Sequence, residues 1–226
     1  MTFDFKSNNR IVNENLIVEL VKNKVISDTF RRLNADKKNR IYQIAVKLFG
    51  EYGYDGLSVD QYCEEASISK GSFFQYFPSK SHLLEFAILI FDDYLEQLFD
   101  EIRKAEPGPM VRQKISHLYD ALVINSRIYS NEEKFYLFAT RAIDHSAVSL
   151  QGIDLERHLV IYVEEIVRRG EETGEIRGDF NIDLTSNLVS LIIGALVNNT
   201  YGRKKETLRE TESYLITFLF DGISAR

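Results

Sequence analysis

The sequence predicts an all-α chain: a small N-terminal three-helix helix-turn-helix unit followed by a larger helical region. Three observations predict it. Apolar residues recur at helical spacing in one segment after another. Only three prolines, Pro78, Pro107 and Pro109, interrupt 226 residues, which leaves long stretches free to be helix. Ser58 and Ser69 are N-caps placed to start two short helices around a tight turn.

Taken in order, residues 1–33 form an extension. Leu16, Leu20, Val21 and Val25 mark an amphipathic helix over roughly 13–32. It either packs on the body or serves as a basic arm through Lys22, Lys24, Arg31 and Arg32. The next helix spans 36–52, capped by Asp36, with Ile41, Ile44, Ala45, Leu48 and Phe49 as its stripe and Gly53 at its C-terminal end. From Ser58, with Gln61 positioned for a capping box, Val59, Tyr62, Cys63 and Ala66 make one apolar face. Ser67 and Ile68 break the pattern, and Ser69 starts the following helix. There Phe73 and Phe77 face inward at i and i+4, leaving Lys70, Gly71, Ser72, Phe74, Gln75 and Tyr76 on or near the outward side. The second helix of such a pair lies in the DNA major groove and offers its N-terminal residues to base edges. Residues 34–82 thus form a helix-turn-helix domain, and 83–226 the larger helical domain.

Ser79 caps a helix of about 25 residues, roughly 38 Å long, that ends at Glu106-Pro107-Gly108-Pro109. Further helices are predicted near 110–127, 131–143, 151–173, 182–201 and 205–222, with breaks at Ser130-Asn131, Ser146–Ser149, Gly174–Asp179 and Gly202. The 182–201 helix is apolar on more than one side and so needs neighbours on two faces. With the last helix it suits a two-fold four-helix interface.

Charge is unevenly distributed. The net charge of -6 divides into +2 over residues 1–33, zero over 34–82 and -8 over 83–226. The acidic excess therefore lies away from the proposed reading helix, although a neutral domain is a weak electrostatic footprint for nucleic acid. One cysteine, Cys63, excludes an intrachain disulfide and fits a reducing cytoplasm. No apolar run is long enough for a membrane span, and the N-terminus lacks a signal-peptide layout. His82, His117, His145 and His158 are scattered, with no metal-ligand spacing, and there is no phosphate loop or nucleophile elbow. No metal, no cofactor and no enzymatic activity are expected.

Over residues 41–84 the sequence resembles the TetR family of bacterial transcriptional regulators. The resemblance is carried by IYQIAVKLFGEYGYDGLSV, the turn ASIS, the helix KGSFFQYF and the run PSKSHLL. It implies a cytoplasmic homodimer that binds a near-palindromic double-stranded DNA operator and releases it when a small molecule enters the C-terminal domain. Lys70, Gly71 and Ser72 fall where the family meets bases and nearby backbone, Tyr76 and Lys80 on phosphate-contacting positions, and Ser58 on a contact at the start of the first helix of the pair. The chemistry agrees. Lys70 suits a guanine edge or a phosphate, Gly71 carries no side chain to hold the helix off the groove, Phe74 suits a thymine methyl, and Gln75 suits adenine. With the cap Ser69, these nine residues are the predicted DNA-contact set. Two departures stand out: Ser67 replaces a usual glycine in the turn, and Phe74 a frequent tyrosine.

The resemblance places an effector site between about 83 and 201. His117, Tyr119, Phe135, Phe138, Arg141, His158 and Tyr162 are the predicted lining, suited to a hydrophobic or aromatic small molecule. The alternative is a helical protein-binding regulatory module without sequence-specific DNA binding.

Overall fold

A computed structural model describes residues 13–105, 108–144, 153–199 and 205–223. Its regular elements are helices: α1 (Glu14–Lys22), α2 (Asp28–Arg31), α3 (Ala35–Gly56), α4 (Val59–Ala66), α5 (Lys70–Tyr76), α6 (Lys80–Lys104), α7 (Val111–Ile128), α8 (Ser130–Asp144), α9 (Arg157–Thr173), α10 (Ile182–Asn199) and α11 (Lys205–Ile223). Among the described residues, no helix is long and apolar enough to cross a membrane.

The predicted helix over 13–32 is two helices. Lys24 takes a left-handed conformation, φ 62°, and turns the chain between α1 and α2. Ile17 and Leu20, with Val25, Ile26 and Phe30, are buried, so the described part of the extension is packed rather than a free arm. Residues 1–12 lie outside the described residues.

The cap of α3 is Asn34, whose side chain accepts from the Lys37 backbone N–H, in place of the expected Asp36. Gly53 has φ 67° and ψ -176°, which bends α3 near its end in a region open essentially to glycine alone. Ser58, Ser69 and Ser79 each receive a backbone N–H three residues on, as the capping pattern required.

The turn between α4 and α5 keeps the backbone that a glycine would adopt. Ser67 is left-handed, φ 52° and ψ 49°, and the Ile68 N–H closes back on the Cys63 carbonyl. A residue with a Cβ there carries strain of about 1 kcal/mol. Ser67→Gly is therefore expected to raise stability by roughly 0.5–1 kcal/mol, read as a small rise in thermal midpoint; a lower midpoint would contradict the strain.

The helices form two compact units that do not follow chain order. One holds α1–α5, the first part of α6 to Leu95, and α8; the other holds the end of α6 with α7, α9, α10 and α11. In the first, Phe30, Phe77 and Phe86 are fully buried and in mutual ring contact, with centroids 5.0 Å apart for Phe30–Phe86, and buried Phe73 joins them through Phe77. Here α8 lies directly on α3: a Cβ added to Gly50 would come within 2.9 Å of the Phe135 backbone nitrogen. In the second unit, α9 and α10 pack along each other. A Cβ on Gly170 would meet Val111 and Ile176 at 2.7–2.8 Å, so that helix–loop contact also requires glycine. The predicted breaks at 146–149 and Gly202 lie outside the described residues.

Candidate DNA interface

The start of α5 is the most open part of the helix-turn-helix. Ser69, Lys70, Gly71, Phe74 and Gln75 are exposed, and Ser72 is partly so. Phe73 at 0% exposure and Phe77 at 0% anchor the opposite side, and the Tyr62 hydroxyl donates to the Ile41 carbonyl at 2.8 Å, tying α4 to α3. Phe74 is 52% exposed and, among the described residues, has Phe73 as its ring neighbour, so it presents an apolar face beside Gln75. Ser69 and Ser72 are hydrogen-bonded side chain to side chain at 2.9 Å, which fixes the rotamer of both at the helix tip.

Lys70 is not a bare cation. Its ammonium lies 2.8 Å from Asp60, one helix earlier, and that carboxylate holds the lysine pKa above its usual value. Both groups are exposed, so the pair is weak in water and breakable by a phosphate. Asp60 also places a negative charge beside the proposed reading edge. Asp60→Asn is expected to tighten DNA binding by roughly threefold to tenfold at low salt, with the gain shrinking as salt rises. Gel-shift titrations at two salt concentrations check this; weaker binding would show that Asp60 helps rather than competes.

The predicted outward orientation of Tyr76 is corrected, and Lys80 is engaged by the protein itself. Tyr76 is not on the outward face: it is 5% exposed, its ring meets Phe30 edge-on at 5.9 Å, and its carbonyl accepts from the Ser27 N–H. The α2 segment covers it, which the α5 sequence alone does not reveal. Lys80 does not project freely. Its ammonium donates to the Tyr54 and Leu57 carbonyls at 2.6 and 2.8 Å and lies over the Tyr54 ring. It closes the C-terminal end of α3, where orphan carbonyls and the helix dipole favour a cation. Ser58 is exposed at the start of α4.

Lys37 is a further exposed cation close to α5. It is exposed in the first turn of α3, and its ammonium lies 5.6 Å from the Tyr76 ring, beside the end of α5. Nothing in its local pattern separates it from an ordinary surface lysine. Arg40, also exposed, donates to the Ala66 carbonyl at 2.8 Å and closes α4. Cys63 is 6% exposed, and burial followed by the Asp60 charge pushes its thiol pKa up, so it is a protonated core group in this state.

The predicted effector lining is divided. In the second unit, His158 and Tyr162 both pack on Phe99, with centroids 6.3 and 5.9 Å away, and Tyr119 and His117 are buried. In the first unit, Phe135 meets Phe91 at 5.3 Å, while Phe138 stacks on Phe49 of α3 at 5.9 Å. Phe138 is thus part of the α3–α8 contact, and Arg141 is exposed. The α8 face that carries Phe138 is turned to α3.

Residues 41–87 match the family model described as bacterial regulatory proteins, tetR family. The chain is 27% identical over 194 residues to the uncharacterized HTH-type transcriptional regulator YuxN of Bacillus subtilis (strain 168), across 84% of this chain and 53% of that protein. It therefore spans about half the length of that relative. It is 34% identical over 61 residues to the biofilm operon icaADBC HTH-type negative transcriptional regulator IcaR of Staphylococcus aureus, across 27% of this chain and 33% of that protein. Its fold is similar to that of a transcriptional regulator from Saccharomonospora viridis solved in complex with choline, at TM-score 0.65 and 18% identity, covering 85% of this chain and 100% of that one. Residues 41–87, which hold the two serine-capped helices and the exposed start of α5, thus form a helix-turn-helix domain of the tetR family of bacterial regulatory proteins.

Proposed function

We propose that this chain is a ligand-responsive repressor. It binds a near-palindromic operator as a homodimer in the cytoplasm and leaves it when a small hydrophobic or aromatic molecule binds its C-terminal region. The observation that carries the reading is the α5 tip, where Lys70, Phe74 and Gln75 stand exposed and Ser72 partly so, on a helix anchored by fully buried Phe73 and Phe77. Such a tip offers a cation for phosphate or guanine, an amide for adenine and an apolar ring for a thymine methyl. Repression is supported by the negative regulator IcaR, and a small organic effector by the choline-bound regulator of the same fold. The division of labour follows: residues 34–82 read DNA, and 83–226 take the effector and the second copy.

The second copy is supported by α10 and α11. Leu184, Leu188 and Leu191, spaced i, i+4, i+7, are 60, 51 and 62% exposed, and Tyr214 and Phe218 on α11 are 78 and 67% exposed. Five large apolar side chains on two neighbouring helices form a patch that monomers rarely leave in water. Two-fold pairing there would present two reading tips to one palindromic site, whose half-sites lie about 35 Å apart on DNA.

Titration of the full chain against DNA upstream of its own gene, at two salt concentrations, tests the reading. Saturable, salt-sensitive binding that exceeds binding to scrambled DNA is expected. Ser72→Ala and Gln75→Ala should then change the preference among operator variants. Uniform weakening across sequences would remove both from base reading, and absence of sequence preference in the wild type would overturn the function.

A further inference from the structure

Glu133 is the least explained polar group among the described residues. It is 9% exposed, and both carboxyl oxygens are buried with no hydrogen-bond partner. Burial alone pushes its pKa up to about 7, with no charged neighbour contributing. A buried bare carboxylate is costly, and a structural role would supply it with a donor. None does so here.

Its place on α8 narrows the explanation. At about 100° per residue, Glu133 lies about 200° from Phe135 and about 140° from Phe138, the residues that meet Gly50 and Phe49 of α3. Glu133 therefore sits on the face of α8 turned away from α3 and takes no part in that contact. Of its helical neighbours on that face, Tyr129, Ser130, Tyr136 and Leu137, two are aromatic. Tyr129 lies one turn before it, with its carbonyl accepting the Glu133 N–H, and Tyr136 lies one turn after. The Tyr136 ring is 6.4 Å from Phe91 of α6, which in turn is 5.5 Å from Tyr94.

We propose that Glu133 is the anchor of the effector site and that the effector is an organic cation with an apolar or aromatic body. The inference rests on the ligand-responsive reading above and adds the charge of the ligand to it. A cation supplies the charge and, where it carries N–H groups, the donors that the carboxylate lacks, and aromatic faces attract cations through their quadrupole. With no occupant, the buried group rests between its charged and neutral forms near neutral pH. An occupant that pairs with it favours a different setting of α8. The opposite side of α8 lies against Gly50 with no spare space, so a shift of α8 is passed to α3 and the DNA-reading helices packed on it.

Nile blue and Nile red share one fused-ring body, the first cationic and the second neutral at pH 7.5. Fluorescence-anisotropy titration of the full chain with each dye, for wild type, Glu133→Gln and Glu133→Asp, tests the proposal, with thermal unfolding run on every sample. Wild type should bind Nile blue about tenfold more tightly than Nile red. Glu133→Gln should lose that preference with Nile red binding unchanged, and Glu133→Asp should keep part of it. Operator release should follow Nile blue binding in the wild type. Equal binding of the two dyes by wild type, with Glu133→Gln indistinguishable, overturns the anchor and leaves an apolar effector site standing. Saturable binding of neither dye overturns the anchor; if operator binding is then normal, DNA reading survives and the ligand-responsive reading loses its support.

Discussion

Leu188→Glu is expected to leave the chain folded but monomeric, with operator affinity lower by on the order of 10²-fold or more. Leu188 is 51% exposed, between Leu184 and Leu191, so a charge there disturbs no packing within the subunit. In a two-fold interface the same residue meets its own patch, and two buried glutamates would face each other without partners. The loss of affinity follows from linkage. A lone reading head has few base contacts, and joining two heads converts the second binding event into an intramolecular one. Sedimentation velocity and gel shift on the same samples check both halves. Tyr214→Glu on α11 should act in the same direction. A wild type that is itself monomeric at micromolar concentration, or a Leu188→Glu dimer that binds DNA normally, would remove the interface.

Glu133 should dominate the pH dependence of stability between about pH 4.5 and 7. Its pKa in the folded chain is about 7, above the usual 4.5, because burial disfavours the charged form. The folded state therefore holds more protons than the unfolded state in that window, and stability falls as pH rises through it. The span corresponds to at most about 3 kcal/mol, worth several degrees of thermal midpoint in a chain of this size. Glu133→Gln removes the titration, so its melting temperature should be flatter across the window and higher than that of wild type at pH 7.5. Parallel pH profiles for the two proteins would show that the carboxyl is not buried in solution. This measurement is independent of any ligand, so it tests the burial of Glu133 apart from its proposed role.

Much of the helix-turn-helix was legible because its signals are local. Ser58 and Ser69 each satisfy a backbone N–H within one turn, and such a cap works the same way in any fold. The inward Phe73 and Phe77 follow from helical geometry in the same way. The strain at Ser67 was signalled by the resemblance, in which a glycine usually occupies that place in the turn. The limits of this legibility appear at Tyr76, Lys80 and Lys37. Position on α5 places Tyr76 near the outer side, but α2, some 45 residues earlier in the chain, covers it. Lys80 reads as a cation free for phosphate until the carbonyl end of α3 arrives beside it.

The sequence by itself determined most of the helices, the caps Ser58, Ser69 and Ser79 and the exposed tip of α5, because each depends on interactions spanning three or four residues. Tertiary structure alone decided that α8 joins the N-terminal helices through Gly50, that Tyr76 is sheltered, and that Glu133 is buried without a donor. Those are properties of surfaces brought together from distant parts of the chain, and helical periodicity states only which residues share a face, never what that face will meet.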